Sequence, residues 1–382
     1  MTKLQLTRRA FVRIAPLAAL GAQVKRLQAS VELVQPKQSR FAFVGTMGDS
    51  QGIHVYATDG ERWRLRQTIA SDSPISLALH PEGGVLYVLN EISVFQGLPS
   101  GSIETYRVDG TTGLLTLLGR QALSLSATMP RQLAVTPDGK RLVVAVHDGG
   151  AYNLLPVLAD GRVGRVCGIF KETGCGPVAE HQESAHPQAV IFDRTGKYAI
   201  TADLGNDKLS VFSIQDGLKI EARYDLPAGS GPRHLALHPD GHLLYVANAL
   251  NGSISGFRLD TNGGGFTELS TRAGGGLGRA LSGALAMHPA GDFLYTADNG
   301  KVSVWRIETG TGALDLLHTT VVDADQEIDD TREMVLQADG SGIVALTSRE
   351  ILRMEVDPRN GRLSGPEVVA SLPGARCIAT YR

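Results

Sequence analysis

Apolar residues alternate with polar or small ones in short runs along most of this chain, and the runs come in pairs joined by a glycine-bearing turn. In PRHLALHPDGHLLYVANA (232–249), Leu235 and Leu237 precede the turn and Leu244 and Val246 follow it. A period of two is the mark of a strand. His238-Pro239-Asp240-Gly241 makes the turn, where glycine can supply a positive φ. Asn251-Gly252 predicts a second turn, SISGFRL (253–259) a third strand, and Gly265–Arg272 a fourth. Four antiparallel strands make one blade of a propeller.

The paired unit recurs six times, as PISLALHPEGGVLYVLNE (74–91), PRQLAVTPDGKRLVVAVH (130–147), PQAVIFDRTGKYAITADL (187–204), the 232–249 copy, and the weaker 283–299 and 331–348. A spacing of roughly fifty residues indicates a solenoid, a propeller or an array, and β units select the propeller. Residues 40–69 carry strand signals in FAFVGT, GIHVYAT and WRLRQTI, enough for most of a seventh blade. GARCIATYR (374–382) can supply its missing strand and close the ring, which removes exposed sheet edges. The predicted fold is all-β: a seven-bladed β-propeller over residues 31–382, with four-stranded antiparallel blades and a ring closed by N- and C-terminal strands.

Composition adds little to the fold and narrows the partners. With 382 residues, 42% of them hydrophobic, the chain can bury a large core, and 45 glycines and 17 prolines suit many tight turns. Lys and Arg number 37 against 39 Asp and Glu. No nucleic-acid partner is expected from that balance, and any charged site is local. The N-terminus reads LTRRAFVRIAPLAALGA (6–22), with Arg8-Arg9 placed as in a twin-arginine export signal. Its apolar run is too short to span a bilayer, so no membrane anchor is predicted. Residues 1–30 are read as a signal peptide outside the fold, the alternative being a simple N-terminal arm. Export would engage the twin-arginine machinery and deliver a folded periplasmic protein; without it the protein is cytoplasmic. Cys167 and Cys175 flank a glycine-containing loop and either pair in an oxidising compartment or stay free; Cys377 is the third cysteine. No C-x-x-C is present, so no zinc framework is indicated.

Repeat register points to a site. The start of the first strand and the end of the second share one rim of a propeller. Eight residues before each turn glycine stand Ile75, Arg131, Gln188, Arg233, Gly283 and Arg332. Eight residues after it stand Glu91, His147, Leu204, Ala249, Asn299 and Ser348, and Asn90, Asp203, Asn248 and Asp298 precede these. His186 lies just before Gln188 and joins the same rim. Arginines repeated round a ring focus positive potential on its mouth and grip carboxylate or phosphate. A small anionic ligand is expected there, held by Arg131, His147, Gln188 and Arg332. The alternative is that these residues pair with carboxylates such as Glu333 or Asp203 and only join blades. His186 and His147 are the candidate general bases and Glu91 the nearest carboxylate. His80, His238 and His288 occupy turn positions and are expected to be structural. DADQEIDD (323–330) reads as a solvated acidic loop, and no metal site or cofactor is predicted.

GCGPVAEHQESAHPQ (174–188), TADLGNDKLSVF (201–212), GSGPRHLALHPDG (229–241) and YVLNE (87–91) together resemble the seven-bladed propeller lactonases. That family includes cycloisomerase-type 6-phosphogluconolactonases and carboxy-muconate cyclases. The resemblance covers residues 40–380 and implies a catalytic set of His186, Arg233 and Glu91. The chain departs from the family pattern at Gln188, where a histidine is usual, at Ala249 in place of a carboxylate, at Asn299 in place of an arginine, and at Ala284. Arg131 or Arg332 could supply a lost role from an equivalent position. The leading expectation is a hydrolase of a sugar lactone, with His186 as base and Arg233 on the oxyanion or an anionic substituent. A non-catalytic binding propeller and a muconate-cyclase-like isomerase are the alternatives.

Overall fold

The computed structural model describes residues 40–381 apart from 60, 261–264, 274–283, 299 and 323–332. The twin-arginine segment, Arg332, Asn299 and the acidic loop 323–330 lie outside the described residues. Seven four-stranded antiparallel sheets make up the fold. In the second blade the order is Pro74–Leu79, Val85–Asn90, Ser102–Val108, Leu115–Ala122. The first blade is composite: Ala375–Tyr381 pairs with Phe41–Thr46, followed by Gly52–Ala57 and Arg64–Ile69. The missing strand supplied by the C-terminus is thus the first of its blade, and every strand of 40–69 lies outside it. First strands touch in succession round the ring, from Ala375–Tyr381 to Pro74–Leu79, Thr128–Val135, Pro187–Phe192, Pro232–Leu237, Ala284–Met287, Glu333–Leu336 and back.

The second strands are the most apolar because neighbouring blades cover both faces. Residues 86–89 and 142–146 are fully buried. Phe43, Ile53 and Val55 of blade one pack on Leu86, Val88 and Tyr106 of blade two, and comparable layers fill the other gaps. Each such side chain contributes about 1.5–3 kcal/mol when buried. A repeated polar lock accompanies them. Tyr87, Tyr245 and Tyr295 donate to the carbonyls of Gly161, Gly312 and Gly361 in the outer turn of the next blade, at 3.0, 2.8 and 3.1 Å. The turn histidines do similar work. His80 and His238 reach the carbonyls of Gly139 and Gly291 in the next blade's turn, and His288 lies against Gly340. Cys167 and Cys175 are free and exposed, and Cys377 is free and buried.

Candidate active site

Arg131 and Arg233, two of the arginines expected at the mouth, each sit in a β-bulge. In blades two to five the pairing of first and second strands slips at Pro74/Ser76, Pro130/Gln132, Pro187/Ala189 and Pro232/His234. The residues left out of the ladder are Ile75, Arg131, Gln188 and Arg233. The preceding proline has no N–H to give the ladder, and a bulge re-aims the side chain of its extra residue. Blade one has the same slip, between Gly45 and Thr46, and the extra residue there is Arg376. Register counting missed Arg376 because the chain ends before any turn glycine from which to count. The signal was Ala375-Arg376-Cys377-Ile378-Ala379, which matches Pro130-Arg131-Gln132-Leu133-Ala134.

Glu91 gathers these arginines. Its buried carboxylate takes Arg131 Nη1 on Oε1 and Arg376 Nη2 on Oε2, the latter at 3.0 Å. Burial, together with the nearby charges of Arg233 and Arg376, lowers the Arg131 pKa to about 10. Arg233 in turn acts on His234, which burial holds neutral with a pKa near 3. Three guanidiniums therefore share one neighbourhood. The carboxylate shown to meet Arg131 and Arg376 is Glu91. Glu333 accepts from Ile378 N at 2.6 Å, and Asp203 accepts from His186 N and Gly205 N at 2.7 and 2.9 Å. Glu333 has counterparts: Ser76 accepts from Leu133 N and Gln132 from Val190 N, each one residue beyond its bulge position.

The two histidines meet across the junction of blades three and four. Their ring centroids are 4.1 Å apart. His186 Nδ1 faces the His147 carbonyl at 3.3 Å and its Nε2 faces Glu183 Oε1 at 2.9 Å. His147 Nδ1 lies 3.2 Å from Asp148 Oδ1 without forming an aligned hydrogen bond. Burial, then Arg131 and His186, push the His147 pKa down to about 3. That makes His147 a poor base at ordinary pH. Gln188 is buried and gives its amide to the His186 carbonyl at 3.4 Å. It backs the His186 main chain.

One short segment, Asp203-Leu204-Gly205-Asn206-Asp207, positions both halves of the site. Asp203 pins His186 N. Burial, with a smaller push from the neighbouring Glu172 and against the hydrogen bonds that lower it, raises its pKa to about 7. Gly205 packs under the same loop, where a Cβ would run into the Ser184 carbonyl and His186 N. Asp207, at φ 55°, accepts from Gly229 N and Gly231 N, both at 2.7 Å, and so fixes the turn that delivers Arg233. Gln182, fully buried, donates to the Leu204 carbonyl at 2.7 Å and folds the loop before His186. Two clefts elsewhere, one lined by Asp193, Arg194 and Gly241 and one by Trp63, Gln337 and Arg353, hold none of these residues.

Residues 41–380 match the family described as Lactonase, 7-bladed beta-propeller. The chain belongs to this lactonase family. Among its relatives is the 6-phosphogluconolactonase of Bacillus subtilis, 25% identical over 349 residues, 88% of this chain and 97% of that one. The 6-phosphogluconolactonase of Formosa agariphila is 26% identical over 72% of this chain and 81% of its own length. A solved structure of a Pseudomonas aeruginosa periplasmic gluconolactonase superposes with a TM-score of 0.77 at 25% identity, over 90% of this chain and 99% of that one. A Bacteroides fragilis structure shares the fold with a TM-score of 0.81 at 22% identity, covering 91% and 99%. Membership of the lactonase family agrees with the resemblance read from the motifs. Among the described residues no helix is long and apolar enough to cross a membrane.

Proposed function

We propose that the protein hydrolyses a sugar lactone, that His186 is its general base, and that the arginine cluster binds the substrate's anionic part. The observation that carries this reading is the convergence, within a lactonase-family propeller, of His186 with Glu183 and of Arg131 and Arg376 on Glu91. With its Nδ1 proton given to the His147 carbonyl, His186 Nε2 takes a proton from water as the water oxygen bonds to the lactone carbonyl carbon. Glu183 steadies the imidazolium that results. Guanidinium groups meet the negative charge developing on the carbonyl oxygen. The ring C–O bond then breaks, and the departing alkoxide recovers the proton from His186. Glu91 fixes the two guanidiniums it binds in place of acting on the base, and Arg233 is the arginine assigned to the oxyanion or the anionic substituent.

The Arg8-Arg9 segment and the periplasmic Pseudomonas aeruginosa relative both favour export, with cleavage near residue 30 and a periplasmic propeller. A periplasmic site favours an aldonolactone over a cytoplasmic sugar phosphate. Proton release on glucono-1,5-lactone and on its 6-phosphate, followed by pH-stat, tests the reading. Turnover above the spontaneous rate is expected, falling by on the order of 10²–10³-fold in His186→Ala and in Arg233→Ala. A flat trace on both lactones from folded protein would replace it with a binding propeller, the reading that buried Ala249, lacking the family's carboxylate, supports.

A further inference from the structure

Two imidazoles and two carboxylates crowd the junction of blades three and four in an arrangement that hydrogen bonds do not complete. We propose that His147 Nδ1, an Asp148 oxygen and His186 Nε2, with Glu183 as a fourth donor, form a binding site for one divalent transition-metal ion of the zinc class. This goes beyond the lactonase reading and competes with it at one atom: a metal on His186 Nε2 takes the lone pair that the base uses, so a bound ion holds the enzyme inactive. The donor atoms of His147, Asp148 and His186 all lie within 4.8 Å of one another. His147 Nδ1 is buried and has no hydrogen-bond partner, although Asp148 stands 3.2 Å away. Both nitrogens of His186 face acceptors, the His147 carbonyl and the Glu183 carboxylate. A neutral imidazole has one N–H to give, so one nitrogen confronts oxygen with a lone pair. A cation between the two imidazoles and Asp148 resolves both mismatches together, and Glu183, which meets only His186 Nε2 and lies outside that group, must swing in to join it.

The surrounding chemistry fits such an ion. Imidazole with carboxylate suits zinc and its first-row neighbours better than calcium. Zinc holds such donors at about 2.0–2.2 Å, so the present spacing must contract. The movable members can do this, since Asp148 and Glu183 side chains are 53% and 60% exposed. The imidazoles are the fixed members. His147 is the last residue but one of the strand Arg141–Asp148, and Asp203 pins the main chain of His186. His186 Nδ1 already faces a backbone carbonyl, the outer contact that orients a metal-bound histidine. Arg131 works against a cation here, and the two carboxylates supply the charge that offsets it.

Titration calorimetry and thermal melts of chelator-treated full chain, with ZnCl₂, MnCl₂ and CaCl₂ in turn, test the site. One zinc per chain is expected, with a melting temperature that climbs with zinc concentration and a weak response to calcium. His147→Ala and His186→Ala should each weaken zinc binding by about 100-fold or more, and His238→Ala should leave it unchanged. Asp148→Asn alters only an exposed side chain and should weaken it by about tenfold, which guards against misfolding of the histidine variants. Absence of stoichiometric zinc binding, or binding that survives in both histidine variants, overturns the site. Because binding is read without substrate, it stands or falls separately from lactone hydrolysis.

Discussion

Arg376 holds Glu91 in a contact that serves the fold, and a proposed second role toward the substrate separates from it experimentally. Its guanidinium meets Glu91 Oε2 at 3.0 Å while staying partly open, with 23% of the side chain exposed. If it contributes to an anion subsite, Arg376→Ala should raise KM for a phosphorylated lactone by roughly 10-fold or more and spare the neutral lactone, since one charge-assisted contact contributes about 1.5–3 kcal/mol. Equal loss on both lactones would mean that Arg376 acts only by holding Glu91. Glu333 allows a second test at this scale. Burial raises its pKa from 4.5 to about 8. A raised acid binds its proton more tightly when folded, so its contribution to stability is full below about pH 4.5 and is lost as pH climbs through about 8. Glu333→Gln keeps an acceptor for Ile378 N and removes the titration. It should match the parent at pH 5 and melt higher at pH 9 by on the order of 2–4 °C, since water reaching this half-buried group trims the full shift. Parallel melting curves across that range would show that Glu333 titrates normally.

Among the elements, the segment Asp203–Asp207 explains why motifs distant in sequence act as one. Asp203 holds the loop that ends in His186, and Asp207 holds the turn that precedes Arg233. Asp203→Ala would strand two buried N–H groups and should cost roughly 2–4 kcal/mol, while Asp203→Asn keeps the accepting oxygen and should cost far less. Denaturant midpoints that fall equally in both variants would discount the hydrogen bonds. The strands themselves were legible in the sequence because burial on a pleated surface imposes period two, and because each glycine turn repeats in register. Arg131 and Arg233 were legible for the same reason: both are bulge residues at one repeat position. Arg376 escaped that count because its copy has no turn. Asp148 and Glu183 escaped because they meet the histidines through loop geometry, which no period encodes. Gln188 shares the arginines' position yet turns to the His186 carbonyl, a choice that local packing makes and register does not reveal.

For the molecule as a whole, stability depends on a seam between residues more than three hundred positions apart in the chain. Ala375–Tyr381 is the first strand of a blade whose other strands are N-terminal, and Arg40 N donates to the Tyr381 carbonyl at 2.7 Å. Six residue pairs join it to Phe41–Thr46, and Ala375, Cys377, Ile378 and Ala379 are buried against it. A chain ending at Pro373 would lose those pairs, open both neighbouring blades and leave Phe41–Thr46 as a free apolar edge that invites aggregation. It should fail to show a cooperative melt. Removing Arg376 with the strand should also relieve Glu91 of one partner. The loss follows from unpairing, not from shortening, and a circular permutant separates the two. A short Gly-Ser linker can join Tyr381 to Arg40, because the hydrogen bond between them already brings these ends together. New termini in the exposed turn between Asp216 and Gly217 leave every strand paired. The permutant should melt within a few degrees of the parent, as insertions and new ends are tolerated at exposed turns. A truncated chain that melts like the parent, or a permutant that fails as the truncation does, would show that something other than this seam holds the ring closed.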